Sequence, residues 1–275
     1  MEEIRLEAGL AARLRRATRA VALTGAGVSQ ESGLGTFRGA GGLWERVRPA
    51  RSAATGDRRS RGRPEELATP DAFYRTPGKV WRWYAARYAT AAAATPNPAH
   101  HAFARWESLF PSFLLVTQNV DDLHQRAGSR QLVALHGSLA EAMCDRCGRR
   151  RPMGEAVAAS PAEPPDCSPP GEAGCHGRFR PAVVWFGENL PATALERAAQ
   201  AAATCDLLVT AGTSALVYPA AGLIETALRA GACVVEVNPE PTPFSRFAHL
   251  RLAAPAGEAL PALTEAIASC RSTAG

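Results

Sequence analysis

Arg19-Ala-Val-Ala-Leu-Thr24-Gly25-Ala26-Gly27-Val28-Ser29 is the stretch on which the reading of the fold turns. Its apolar run has no polar alternation, which is the pattern of a strand buried on both faces of a sheet. Gly25 and Gly27 then let the backbone approach a ligand phosphate. A helix opening there would add free N–H groups and the positive end of its dipole. Alone the turn is a weak signal, since Gly-x-Gly turns are common in strand–helix units. It also departs from the dehydrogenase fingerprint, because no third glycine stands at the required offset and no strand ending in Asp or Glu follows about twenty residues on.

The same pattern recurs along the chain. Residues 113–117 run into Gln118-Asn119-Val120-Asp121, residues 132–135 into His136-Gly137, residues 206–211 into Gly212-Thr213-Ser214, and residues 232–237 into Asn238-Pro239-Glu240. Helical stretches are predicted over 192–203 and 219–230. Apolar strands alternating with helices specify an α/β fold whose parallel sheet is covered on both faces. Every polar motif follows a strand, and ligands of open α/β sheets bind beyond the strands' carboxyl ends. The recurrence therefore points to a ligand-binding enzyme more strongly than any single motif does.

Composition narrows the classes. Of 275 residues, 46% are hydrophobic and 21% charged, as in a folded globular protein rather than a disordered one. The longest apolar runs are far too short to span a bilayer. Residues 1–20 carry Glu2, Glu3 and Glu7 and no apolar core, so they read neither as a secretory signal nor as an Arg-rich transit peptide. A cytosolic location is the default expectation, with no membrane partner. The net charge of +5 is mild and almost all of the positive charge is Arg, Lys79 being the sole lysine. Its densest run, residues 46–63, lies among Gly, Ser, Ala and Pro and reads as a solvated loop, so no specific nucleic-acid binding is expected.

Seven cysteines are unevenly spread. Cys144, Cys147, Cys167 and Cys175 cluster, which in a chain without a secretion signal favours a metal over disulfides. Cys144-x-x-Cys147 is a proper zinc half-site. The second pair is looser, seven residues apart, but the intervening Ser-Pro-Pro-Gly-Glu-Ala-Gly is turn-forming. One closed, structural zinc held by four thiolates is expected, with His176 the substitute for Cys175. A nucleic-acid zinc module is the competing reading. Arg146 and Arg149–Arg151 supply charge for it, but no aromatic residue interleaves to stack on bases. The expected organisation is a Rossmann-like parallel-sheet domain (residues 1–40, 110–138 and 181–275) with a smaller inserted module. That module combines a helical segment (41–109) and a zinc-ribbon segment (139–180).

The longer string Gly25-Ala26-Gly27-Val28-Ser29-Gln30-Glu31-Ser32-Gly33-Leu34-Gly35-Thr36-Phe37-Arg38-Gly39 resembles the cofactor-loop signature of the sirtuins. Gln118-Asn119-Val120-Asp121, with Leu123-His124 following, His136-Gly137, and Val183-Val184-Trp185-Phe186-Gly187-Glu188 are similar to further motifs of that family. Gly212-Thr213-Ser214 and Asn238-Pro239-Glu240 resemble its nucleotide-binding turns. The matches occur in the family's order and cover residues 19 to 256.

The resemblance implies NAD as co-substrate, acylated lysine side chains of proteins as partners, and a monomer. It places Gly25, Ala26, Gly27, Ser29, Glu31, Thr36, Phe37, Arg38, Trp44, Gln118, Asn119, Val120, Asp121, Gly212, Thr213, Ser214, Asn238, Pro239, Glu240 and Ala256 around the cofactor. Val184, Trp185, Phe186, Gly187 and Glu188 fall on the substrate strand. In the implied chemistry the acyl oxygen attacks the ribose C1′ and expels nicotinamide. His136 then acts as base on a ribose hydroxyl, and water completes release of lysine and O-acyl-ADP-ribose. Asn119 orients the ribose or a water, Asp121 binds the carboxamide, Phe37 shields the centre and Arg38 anchors the loop. Without the ordered set, a single histidine after a strand is more often a packing residue. His124, one turn beyond Asp121, reads as structural. Asn119, Asp121, Glu31 and Ser32 could each merely cap a helix.

Tyr84 and Arg87 narrow the substrate. They stand three apart on one helix face, and a guanidinium beside a phenol suits a carboxylate. The pair resembles the Tyr-x-x-Arg of the sirtuin subclass that removes succinyl, malonyl and glutaryl groups. The competing reading is an Arg stem packed over an aromatic ring. Weaker deacetylation is expected beside it. Gly35-Thr36 replaces the Pro-Asp of many sirtuins, Thr36 fitting the same subclass. Residues 46–63 look like an insertion near the cofactor entrance. Mono-ADP-ribosyl transfer and a non-catalytic NAD or ADP-ribose sensor are the alternative functions.

Overall fold

The computed structural model describes residues 4, 6–35, 64–168 and 174–272. Six strands form one parallel sheet in the order β3-β2-β1-β7-β8-β9. They are β1 (Arg19–Thr24), β2 (Ser112–Thr117), β3 (Leu132–Ala134), β7 (Leu207–Ala211), β8 (Cys233–Val237) and β9 (Leu250–Leu252). The remaining three, β4 (Gly137–Cys144), β5 (Arg150–Pro152) and β6 (Phe179–Val183), make a separate antiparallel sheet in the order β5-β4-β6. The expected α/β fold with a parallel sheet and a smaller module is therefore observed.

Alternation along β1 explains the layers. Ala20 and Ala22 face a core built with Leu14, Phe103, Trp106, Leu260 and Leu263. These come from helices Ala8–Arg16, Pro98–Leu109 and Ala256–Ser272. Val21 and Leu23 face the opposite core, with Ala198, Ala202, Leu223 and Ile224 from helices Ala192–Thr204 and Gly222–Arg229. Since neither face sees water, both sets are apolar, and the strand reads as continuous. The chain moves outward from β1 through β2 to β3, then crosses to β7 on the other side of β1. That reversal makes the β1–β7 edge the topological switch point, where a crevice opens above the strands.

The two stretches that interrupt the alternation share one core despite their separation in sequence. Phe73, Val80, Trp81 and Tyr84 pack with Leu139, Ala142, Met153, Phe179 and Trp185. The first four lie on helices Pro70–Arg75 and Pro77–Ala93. Local signals start these helices: Thr69 Oγ1 accepts from Ala72 N at 3.1 Å with Pro70 in the first turn. Among the described residues no helix is long and apolar enough to cross a membrane.

Two elements differ from expectation. After β1 the chain forms a 3₁₀ helix, Ala26–Ser32, rather than an α-helix. Val28 N closes a 3₁₀ turn on Gly25 O at 3.0 Å, Gly27 N donates to the Gly212 carbonyl at 2.8 Å, and Gly33 ends the element at φ 83°. The helix expected from Pro219 starts at Gly222, because Ala221 and Gly222 donate to Val217 and Pro219 in turns.

At the opposite end of the sheet, Asp206 joins the starts of β1 and β7. It accepts from Thr18 N, Thr18 Oγ1, Arg19 N and Arg19 Nη2 at 2.8–2.9 Å. Burial alone would raise its pKa, but these four bonds outweigh that and hold it at about 2. A depressed carboxyl stabilises the fold above its unfolded value of 3.8 and loses that contribution as pH falls towards about 2. Asp206→Ala should therefore cost about 2 kcal/mol at pH 7 in urea unfolding. The gap from wild type should close below pH 4; a gap independent of pH would contradict this origin.

Candidate active site

The crevice is floored by backbone. Gly25 N donates to Ala211 O at 3.0 Å, Gly27 N to Gly212 O at 2.8 Å, and Gly212 N to Val237 O at 3.0 Å. A Cβ on Gly25 or Gly27 would lie 2.7–2.9 Å from the loop Gly212–Thr213, and one on Gly212 2.4 Å from Val28 N. Only glycine fits these positions, and Gly212 in addition has φ 58°. Gln118 closes the floor: its N donates to Thr24 O at 2.9 Å and its Nε2 to Thr213 Oγ1 at 3.1 Å.

On this floor Ser29 gathers the polar groups that follow β2. Its hydroxyl donates to Asp121 Oδ2 at 2.9 Å and accepts from Asn119 Nδ2 at 3.0 Å. Asp121 Oδ1 also accepts from Leu123 N at 3.2 Å, so the capping role and the link to Ser29 coexist. Burial raises the Asp121 pKa, which the bonds from Leu123 and Ser29 partly offset. Beside Ser29 stand two buried histidines, His100 and His124, with ring centroids 4.7 Å apart. Burial holds His100 at about 4 and His124 at about 3, so both are neutral at physiological pH. His124 Nε2 contacts Thr24 Oγ1 at 3.2 Å, which fits a structural residue. Asn97 is a residue the sequence reading missed. It caps helix Pro98–Leu109 and reaches Val28 O at 2.8 Å through Nδ2; the Asn before Pro98 was the available signal.

His136 is half-buried at the end of β3, with Nδ1 2.8 Å from Gln118 O. A carbonyl can only accept, so Nδ1 carries the proton and Nε2 is the free acceptor. Burial lowers the His136 pKa below 6.5, and the Gln118 bond only partly restores it. The strand motif lies alongside: Val184 N donates to His136 O at 2.9 Å. Phe186 is exposed and Gly187 turns at φ 90°. Trp185, expected to meet substrate, is instead only 2% exposed. Its Nε1 donates to Tyr84 OH at 3.0 Å, Arg180 Cζ lies 3.3 Å from its ring centroid, and Glu188 Oε2 accepts from its backbone N at 2.8 Å. Glu188 pairs in turn with Arg180, which is buried and which no sequence signal picked out. Arg87 Cζ sits 5.6 Å from the Tyr84 ring centroid and 4.8 Å from that of Trp83.

The outer turns are held by other residues. Asn238 Nδ2 donates to Glu240 O at 2.7 Å, and Arg251 donates to Pro239 O at 2.9 Å while pairing with buried Glu236. Thr213 is buried and Ser214 exposed. Val120 O accepts from Leu139 N at 2.7 Å. Glu31 Oε2 accepts from Gly257 N at 2.6 Å, beside Ala256 at the start of the C-terminal helix. Thr36, Phe37, Arg38, Trp44 and the loop 46–63 lie outside the described residues.

In the small module the sulfurs of Cys144, Cys147, Cys167 and Cys175 all lie within 4.8 Å of one another, with Cys144–Cys175 and Cys147–Cys167 at 3.6 Å. Tetrahedral zinc at about 2.3 Å from each sulfur needs sulfurs about 3.8 Å apart, so the four fit one ion. The Arg146 and Cys147 amides donate to Cys144 Sγ at 3.4 and 3.5 Å and shape the knuckle. Four thiolates leave no open position, so the zinc is structural. Native mass spectrometry should find one zinc per chain, and stripping it with a chelator should lower Tm. Retention of Tm after full zinc loss would contradict a structural role.

Comparison with known proteins agrees with this geometry. The Sir2 family model matches residues 25–219. The chain is 49% identical over 244 residues to an NAD-dependent protein deacylase of Thermus thermophilus, covering 87% of each chain. A Sir2 homologue solved as a triple mutant with 2′-O-acetyl ADP-ribose superposes with TM-score 0.83 at 40% identity, over 97% of this chain and 98% of the other. A Sir2 homologue–NAD complex gives 0.78 at 40%, over 99% and 97%. The chain belongs to the Sir2 family.

Proposed function

We propose that this chain is an NAD-dependent protein-lysine deacylase that prefers acidic acyl groups, namely succinyl, malonyl and glutaryl, and deacetylates more weakly. The relatives' names support the deacylase activity. The acyl preference rests on one observation: a Tyr84 hydroxyl and an Arg87 guanidinium on a single helix face, joined through Trp185 to the strand that pairs with His136. Arginine keeps its charge under burial that would neutralise lysine, and it can grip a carboxylate with two N–H bonds. A neutral acetyl group offers that cation no carboxylate to grip, which favours the acidic acyl groups.

NAD, when bound, supplies a ribose carbon that nicotinamide leaves and ribose hydroxyls that can be deprotonated. The chain's own residues do the rest. The glycine floor carries no side chain that would keep the phosphates from the backbone. Asn119, its Nδ2 committed to Ser29, presents Oδ1 as acceptor. Gln118 fixes the His136 tautomer, so Nε2 takes the proton. The shielding assigned to Phe37 and the anchoring assigned to Arg38 belong to this same reading.

Peptides carrying succinyl- or acetyl-lysine, incubated with and without NAD and read by mass spectrometry, provide the direct test. Cleavage only with NAD, faster for succinyl, is expected; no NAD-dependent cleavage of either overturns the proposal. His136→Ala should reduce kcat by about 10²–10⁴-fold. A base whose pKa is lowered stays deprotonated further into acid, so the acidic limb of kcat/KM should fall with a midpoint below 6.5. Arg87→Met should reduce desuccinylation far more than deacetylation, and equal losses would exclude carboxylate recognition by Arg87.

A further inference from the structure

Trp185 sits in a motif whose neighbours Phe186 and Gly187 reach the surface, yet it is buried and cannot meet an extended peptide. Its surroundings fix it on every side. Phe73 packs at 5.3 Å between ring centroids, Arg180 covers the ring, and Glu188 holds both its backbone N–H and the Arg180 guanidinium. The indole N–H so fixed ends on the Tyr84 hydroxyl oxygen at 3.0 Å.

An indole N–H can only donate, whereas a phenol has one proton and spare lone pairs. Tyr84 must therefore use a lone pair towards Trp185 and keep its own proton for another acceptor. Burial raises the Tyr84 pKa to about 12, so the hydroxyl retains that proton at any working pH. Arg87, beside the same ring, has only donors to offer. A ligand end that accepts without donating matches this pair, and a carboxylate does so, whereas a terminal amide does not.

We propose that Trp185 is a specificity-positioning residue, whose indole N–H occupies a lone pair of the Tyr84 hydroxyl, leaves its proton directed at the ligand and so biases the acyl pocket towards carboxylate-ended groups. This rests on the acidic-acyl reading of Tyr84 and Arg87 and adds to it the residue that sets their polarity. A purely structural Trp185 would influence all acyl substrates alike.

The test measures kcat/KM for succinyl- and acetyl-lysine peptides on the full chain with saturating NAD. Trp185→Phe keeps an aromatic ring for Phe73 and Arg180 and removes the donor; the lost ring volume acts on all acyl substrates alike and cancels in their ratio. The succinyl-to-acetyl ratio should fall about fivefold, as expected for one hydrogen bond. In a Tyr84→Phe background the same substitution should leave the ratio unmoved. An unchanged ratio in Trp185→Phe, or an equal fall without the Tyr84 hydroxyl, overturns the role of Trp185. Without any variant, wild type should process a succinyl group about tenfold or more faster than its terminal-amide analogue. Equal rates also overturn the proposed donor orientation of the pocket. A wild-type protein with no succinyl preference at all would instead remove the acidic-acyl reading on which the inference stands.

Discussion

The bond from Gly27 N–H to Gly212 O, at 2.8 Å, is the contact on which the site depends. It brings the loop after β1 against the loop after β7, at the point where strand order reverses. No side chain could stand between them, since a Cβ on either glycine would collide with backbone rather than with a yielding side chain. Because this floor is built from backbone, its N–H groups and carbonyls are pointed by the sheet itself. The side chains that gather there, Ser29, Gln118 and Thr213, inherit their positions from the same strands.

Much of this was legible in the sequence, for a physical reason. Strands covered on both faces must be apolar throughout, so β1, β2, β7 and β8 announce themselves, and the polar residue after each falls at the crevice. Cys144-x-x-Cys147 is equally local. What the sequence could not show are contacts between distant segments. Nothing near Tyr84 says that a tryptophan a hundred positions on will donate to it, and nothing near Arg180 marks it as the partner of Glu188. The shared core of the two inserted segments is of the same kind. Glu31 shows the limit clearly: the resemblance places it at the cofactor and its spacing allows a cap for its own helix, but only the structure shows its carboxylate holding the amide of Gly257 at the start of another. The helix after β1 was legible, but its 3₁₀ form was not.

Burial decides the charge state of nearly every group around the crevice. It lowers His100, His124 and His136 and raises Asp121 and Tyr84, in each case towards the neutral form. The neutral groups among them work through the direction of their hydrogen bonds: Gln118 sets the His136 tautomer, Ser29 sets Asn119, and Trp185 sets Tyr84. Directed dipoles can orient a substrate, and a cation beside them adds the charge that pairs with a carboxylate. A cation able to survive the same burial is needed. Burial lowers the Arg87 pKa too, but from far above the range of histidine or lysine, so arginine is the cation that best keeps its charge there. The single lysine of the chain stands elsewhere, at Lys79. The proposed recognition of a carboxylate therefore suits arginine better than lysine, and it suits a neighbouring hydroxyl turned as a donor.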